Sequence, residues 1–322
     1  MSRQNCPHQL LSAGICALIL LNGCTTQIIR PESQRLAETL LIRAIRAEHK
    51  GDVKQAEALL KESLAVSTSI EDSYAKAMAY INLARLYRSG NHLAQASDNI
   101  DAALTFLDPG SAIYAEAAHE KALILFMTNS AEIAQQWAEK SVTNEKGRLL
   151  GRQLNLLGRI QLARNDLRSS VITLQKGLAE NHSSGNTEEE ANSLRMLGII
   201  ARKENILTNA ERLLTEALEI DKRMAVSTKI AMDLEELSKT ALAAGNVASA
   251  VRYLERAYDV HLSANRIRQA SATKEELAKI FSQQGNAEKA DSARKTALEL
   301  SNKVGIQQSN TPSDTIKPSN RP

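Results

Sequence analysis

Small side chains recur along this chain at intervals near forty residues. Ala44, Ala84, Ala122, Gly158, Gly198, Ser238 and Ala278 stand 40, 38, 36, 40, 40 and 40 residues apart. Twelve positions after each comes Ala56, Ala96, Ala134, Ser170, Ala210, Ala250 or Ala290. Seven further on comes Ser63, Ala103, Ser141, Gly177, Ala217, Ala257 or Ala297. All twenty-one positions hold Ala, Gly or Ser, the residues that let two helices approach closely. Seven residues after each first-set position stands Gly51, Asn91, Asn129, Asn165, Asn205, Gly245 or Gly285. Gly and Asn enter the left-handed backbone region at lowest cost and so terminate helices. Large apolar residues complete the unit: Leu83, Leu157, Leu197, Leu237 and Leu277 in the first helix, Leu60, Ile100, Leu174, Leu214 and Leu254 in the second. Each unit therefore reads as helix, tight turn and antiparallel helix. With aromatic residues at only 3%, a large aromatic-cored β fold is disfavoured, and the expected class is all-α.

The clearest unit runs Tyr80, Leu83, Ala84, Tyr87, Asn91, Ala96, Ile100, Ala103, and Leu157-Gly158 and Leu197-Gly198 supply a Leu-Gly pair. This pattern resembles the tetratricopeptide-repeat (TPR) family, in particular longer-period variants such as those of kinesin light chains. The resemblance implies a right-handed superhelical solenoid of about seven TPR-like helix-turn-helix repeats over residues 33–301. The chain departs from the family in lacking its Trp and late Pro, and in a period longer than about 34 residues. Repeats one, three and seven are weaker, with Arg43, Lys121 and Arg294 at sites elsewhere apolar. End units of a solenoid face water and are expected to be atypical; the short spacing of the third suggests a bend.

The cysteines carry a second signal. Cys6, Cys16 and Cys24 all fall in the first 24 residues. Leu10 to Leu21 is an apolar stretch of twelve residues, short of the ~20 that span a bilayer but right for a signal-peptide core. Leu21-Asn22-Gly23-Cys24 then resembles the bacterial lipobox, with Asn22 larger and more polar than usual. The resemblance implies a signal peptide over 1–23, palmitate and further acyl groups on Cys24, and a lipidated tether over 24–32. Thr25 stands where an Asp would mark inner-membrane retention, which implies sorting to the outer membrane, facing the periplasm. Cleavage would leave no thiol free to misoxidise there. The Gln-, Ser-, Asn- and Pro-containing segment 302–322 reads as a disordered tail.

Catalytic and metal signatures are missing from the sequence. His119-Glu120 opens like the zinc-protease HExxH, but Leu123 occupies the second His position. The six histidines are dispersed, and neither a Walker-type GxxxxGK[ST] nor G-x-S-x-G occurs. His182 and the serines after it read as an inter-repeat loop. A formal net charge of +3 is too small for a phosphate-tracking surface. The expectation is a non-enzymatic protein with no cofactor, no metal, no nucleic acid and no small-molecule substrate.

A recognition surface remains. In TPR arrays the first helix of each pair lines a concave groove. Carrying its positions across repeats two to five selects Arg85, Arg88, Arg152, Arg159, Arg195 and Arg202 against one acidic residue, Glu116, with Leu123, Phe126 and Leu162 on the same face. Guanidinium groups beside apolar side chains suit an acidic, partly apolar peptide, and charge reversal at Arg159 and Arg195 is expected to weaken capture without unfolding. The expected function is a membrane-anchored scaffold for envelope proteins in a pilus, secretion, transport or outer-membrane assembly machine. The alternatives are an accessory subunit of a cell-wall enzyme, or a cytoplasmic TPR signalling protein if the N-terminus is not a signal.

Overall fold

The computed structural model describes residues 31–309; Cys24, the signal segment and the tail beyond 309 lie outside them. Among the described residues there are fourteen α-helices and no strand. They form seven antiparallel pairs: α1 (Glu32–His49) with α2 (Val53–Ser69), α3 (Ser73–Ser89) with α4 (Leu93–Leu104), and α5 (Ala112–Met127) with α6 (Ala131–Asn144). Next come α7 (Leu150–Ala163) with α8 (Leu167–Ser184) and α9 (Thr187–Lys203) with α10 (Leu207–Arg223). The last are α11 (Ser227–Ala243) with α12 (Val247–Ser263), and α13 (Ile267–Gln283) with α14 (Ala287–Ser309). The final helix runs eight residues past the expected end of the array at Ser301. None is long and apolar enough to cross a membrane.

The turns follow from the Gly/Asn register. Gly51, Asn91, Asn129, Asn165, Asn205, Gly245 and Gly285 all have φ between 59° and 79°. The amide after each bonds back five residues, as from Asp52 to the Ala47 carbonyl (2.9 Å) and from Asp166 to that of Gln161 (2.9 Å). This left-handed stop satisfies the carbonyls that a helix end leaves open. Asp52 and Asp166 then cap the next helix, accepting from the amides of Gln55 (3.0 Å) and Ser169 (3.1 Å). Four between-repeat turns reuse the geometry, through Glu71, Gly185, Ala225 and Asn265. The other two are irregular, over 105–111 and 145–149, and follow the shortest helices, α4 and α6. They account for the two shortened intervals, 38 and 36.

Every one of the twenty-one small residues is buried. They form the seam on which the second helix lies. A Cβ on Gly158 would stand 2.5 Å from Cγ of Leu174, and one on Gly198 2.7 Å from Cγ of Leu214. Three of the four serines in the seam spend their hydroxyls on facing carbonyls, Ser170 donating to Gly158 (2.7 Å), Ser238 to Ala250 (3.0 Å) and Ser63 to Ala37 (2.9 Å), while the buried hydroxyl of Ser141 has no partner among the described residues. Filling the gaps are the expected leucines, with Leu174 and Leu214 wholly buried, each worth about 1.5–3 kcal/mol in transfer from water. Lys121, polar where other repeats are apolar, reaches back to Asp101 (2.7 Å) and Ser97 (3.1 Å) on α4. Arg43 and Arg294 are exposed at the two ends.

Gly151 is the tightest approach. A Cβ there would lie 2.1 Å from Oδ1 of Asn181 and 2.9 Å from its backbone nitrogen, which cannot rotate away. Gly151→Ala should therefore lower the unfolding midpoint in a denaturant titration. Overpacking of about 1–3 kcal/mol outweighs the roughly 1 kcal/mol that Ala gains in helix propensity. A stabilised variant would show that the α7–α8 distance is not sterically set.

Candidate functional site

Each odd-numbered helix from α1 to α9 touches its counterpart in the next repeat, α11 does not touch α13, and the even-numbered ones touch only their neighbours in sequence. The odd helices therefore make the inner layer of the array. Between α5, α7, α9 and α11 this layer encloses an open cavity of about 490 Å³. Leu123, Leu156, Leu162, Met196, Ile199 and Met232 give it apolar walls, and His119, Arg152, Arg159 and Arg195 add nitrogen.

Four of the six sequence-selected arginines are engaged with carboxylates. Arg85 pairs with Glu116 and Arg88 with Glu120. Arg202 binds Glu236 at 2.9 Å. Arg195, only 5% exposed, is held by Asp221 on α10 and by Asp233 on α11, 2.5 Å from its Nε. Sequence reasoning had offered only Glu116. Glu120, Asp233 and Glu236 lie between the offsets that face the groove, yet their carboxylates reach the neighbouring repeat.

This corrects the expectation for Arg195. Its guanidinium is a structural brace between wholly buried aspartates, not a free recognition group. Removing one partner of such a cluster costs about 3–5 kcal/mol because it strands buried charge. Charge reversal at Arg195 therefore unfolds or loosens repeats five and six rather than testing the groove. Phe126 likewise packs partly into the core around Ala122, Leu156 and Ile160 and is not a cavity wall. Arg159 caps its ring, 4.9 Å from the centroid.

Arg152 and Arg159 differ from the others. Among the described residues neither forms an ion pair. Glu189, the nearby acid on α9, forms no ion pair with them: its Oε2 accepts from Asn155 (2.9 Å) and Asn192 (3.1 Å), while its charge partly offsets the lowering of the Arg159 pKa. Burial, then the charge of Arg88, lowers the pKa of Arg159. Its side chain is exposed yet lines the concavity, where neighbouring protein replaces part of its hydration. His119 is buried, with no hydrogen-bond partner at Nδ1. Burial and the surrounding Arg152, Arg85, Arg88 and Arg159 hold its pKa well below the ordinary imidazole value, so it stays neutral. The site thus has two unsatisfied cations on α7 and an apolar surround, and it would gain from an anion. His119, Asn155, Asn192 and Ile199 also occupy the predicted groove offsets and join the charged and apolar residues selected there.

Glu120, the other half of the HExxH-like pair, serves Arg88. His182 and His261 contact Glu190 and Glu235, each at 3.0 Å. No group of three potential metal ligands occurs among the described residues.

No family model matches this chain, and no curated protein does. Solved structures do. Apo RapI is 13% identical with a TM-score of 0.65, covering 84% of this chain and 99% of its own. The Pyrococcus horikoshii STAND protein PH0952, which has a tetratricopeptide-repeat sensor, is 16% identical with a TM-score of 0.67; 85% of this chain matches 44% of that one. PilW, a type IV pilus biogenesis factor, is 16% identical with a TM-score of 0.55, over 69% of this chain and 92% of its own. At these identities the likeness is one of fold, and that fold is a TPR-type solenoid.

The Asp221–Arg195–Asp233 cluster has a pH signature. Burial raises the Asp233 pKa to about 7, against the pull of Arg195 and with Asp221 adding to the rise. A carboxyl raised in the folded state stabilises most at low pH, and that contribution fades as pH rises through about 7. Asp233→Asn should flatten the fall in thermal midpoint between about pH 4 and 7. An identical slope in the variant would remove Asp233 as its source.

Proposed function

We propose that this protein is a non-enzymatic scaffold whose inner face holds an acidic, partly apolar segment of a partner protein. The carrying observation is that Arg152 and Arg159 have no carboxylate partner among the described residues, in a cavity whose Leu, Ile and Met walls are joined by His119, Asn155, Asn192, Lys229 and a single acid, Glu189. Elsewhere on the inner layer the selected arginines are neutralised from within the chain. A carboxylate placed between Arg152 and Arg159 would relieve their charge, while neighbouring aliphatic side chains of the segment would cover Leu123, Leu162 and Met232. Neutral His119 can take either hydrogen-bonding role toward such a segment.

In the same reading the scaffold is lipid-anchored through Cys24 in a bacterial cell envelope, at the outer membrane facing the periplasm, and serves a multiprotein envelope machine. The lipobox-like Leu21-Asn22-Gly23-Cys24 supports the anchor, and the fold likeness to PilW, itself a pilus biogenesis factor, supports the setting. Anchoring would raise the scaffold's effective concentration for partners at the same membrane.

Two experiments test the reading. Fluorescent glutamate–leucine peptides should bind the protein more tightly than lysine–leucine peptides. The double variant Arg152→Glu, Arg159→Glu should lose at least about tenfold in affinity, since a hydrogen bond to a charged group is worth about 1.5–3 kcal/mol, with its thermal midpoint unchanged. Equal binding of both peptides, or unchanged affinity, would reject the groove. Separately, Cys24→Ala should abolish palmitate labelling and release the protein from membranes; labelling that survives would reject the anchor.

A further inference from the structure

The first helix presents a second, separate surface. On its inner side α1 buries Ala37, Leu40, Ala44 and Ala47 against α2 and α3. Its outer side has no preceding repeat among the described residues and is exposed along successive turns at Arg35, Ile42, Arg43, Arg46 and Lys50. Such spacing puts them on one helical face. Two large apolar side chains stand out there, with Leu36 45% and Ile42 44% exposed. Arg43, Arg46 and Lys50 form no ion pair among the described residues; together with Gln55 and Leu59 they line a depression of about 180 Å³. Of the acids of this helix, Glu32 shares the face but lies in the first turn, more than two turns from the Arg43–Lys50 cluster, Glu38 is at the flank and Glu48 on another side.

We infer that this face is a docking surface for anionic phospholipid, with headgroup phosphate seated among Arg43, Arg46 and Lys50. The chemistry fits on two counts. Clustered unpaired cations draw a negatively charged lipid surface at about 1 kcal/mol each. Leu36 and Ile42 can enter the boundary between headgroups and acyl chains, as the apolar residues of interfacial helices do. The position also fits. Cys24 precedes Pro31 by seven positions, and an extended chain of that length spans about 25 Å. With Cys24 acylated, α1 could not lie far from the bilayer, and its outer face would be the first surface available to it. Docking there would fix the direction in which the solenoid leaves the membrane, leaving the cavity between α5 and α11 open. This surface shares no residue with the proposed peptide groove and stands or falls separately from it.

The test uses the full chain carrying Cys24→Ala, so that no acyl group contributes. Sedimentation is compared with vesicles of phosphatidylcholine alone and of phosphatidylcholine with phosphatidylglycerol. Binding should be confined to the phosphatidylglycerol vesicles and weaken with added salt. Neutralising the cradle with Arg43→Gln, Arg46→Gln and Lys50→Gln should lower that binding about a hundredfold. These residues are exposed, and an unchanged thermal midpoint confirms that the variant is folded. Equal binding to both vesicle types, or full binding by the triple variant, overturns the inference. So does concentration-dependent self-association that the triple variant abolishes, which would make the face a contact between copies. Because the protein tested is unacylated, failure here leaves the Cys24 reading to palmitate labelling alone.

Discussion

Close approach of paired helices is the constraint on which the structure rests. Where Gly158 meets Leu174 and Gly198 meets Leu214 there is no room for even a methyl group. In those two repeats the second helix presents its leucine to bare backbone, and in the other five a buried alanine or serine takes the place of the glycine. That distance fixes the angle at which each pair leaves the last, and the left-handed Gly or Asn at each turn allows the chain to reverse sharply enough to meet it. Among the described residues, no single large core exists. Stability is distributed over six local clusters, each built from adjoining helices.

Laid over this apolar frame is a ladder of polar contacts that runs along the inner layer. Arg85 and Arg88 join α3 to α5, Asn155 joins α7 to α9 through Glu189, and Arg195 and Arg202 join α9 to α11. Neither step that meets α7, from α5 or on to α9, has an ion pair among the described residues, and there the arginines of α7 are left open. The two features are one: where the ladder is interrupted, the charge that elsewhere braces neighbouring repeats is available to something outside the chain. The same stretch contains α6, one of the short second helices, and the irregular turn over 145–149.

Buried charge also separates bracing from recognition. Arg195 and Arg159 occupy comparable positions along the repeat pattern, but one sits between two aspartates and the other over a phenylalanine ring. Desolvation makes the first indispensable to packing and leaves the second seeking a counter-charge. The outer face of α1 follows the same logic, since among the described residues no repeat precedes it to supply carboxylates.

The pair-by-pair fold was legible in the chain itself, because its determinants are local and periodic. Small residues at Ala84 and Ala96, a left-handed former at Asn91 and leucines between them act within one hairpin, and each repeat states the rule again. The face that lines the groove was legible for the same reason: Arg152, Asn155, Arg159 and Leu162 fall at fixed offsets on one helix. Which arginines are free was not. That depends on whether Glu120, Asp221, Asp233 or Glu236 reaches across to the adjoining repeat, a matter of a few ångströms set by how the pairs stack. Ion pairing falls off over such distances and is indifferent to sequence separation, so only the assembled array could assign Arg195 to the scaffold and leave Arg152 and Arg159 exposed to a partner.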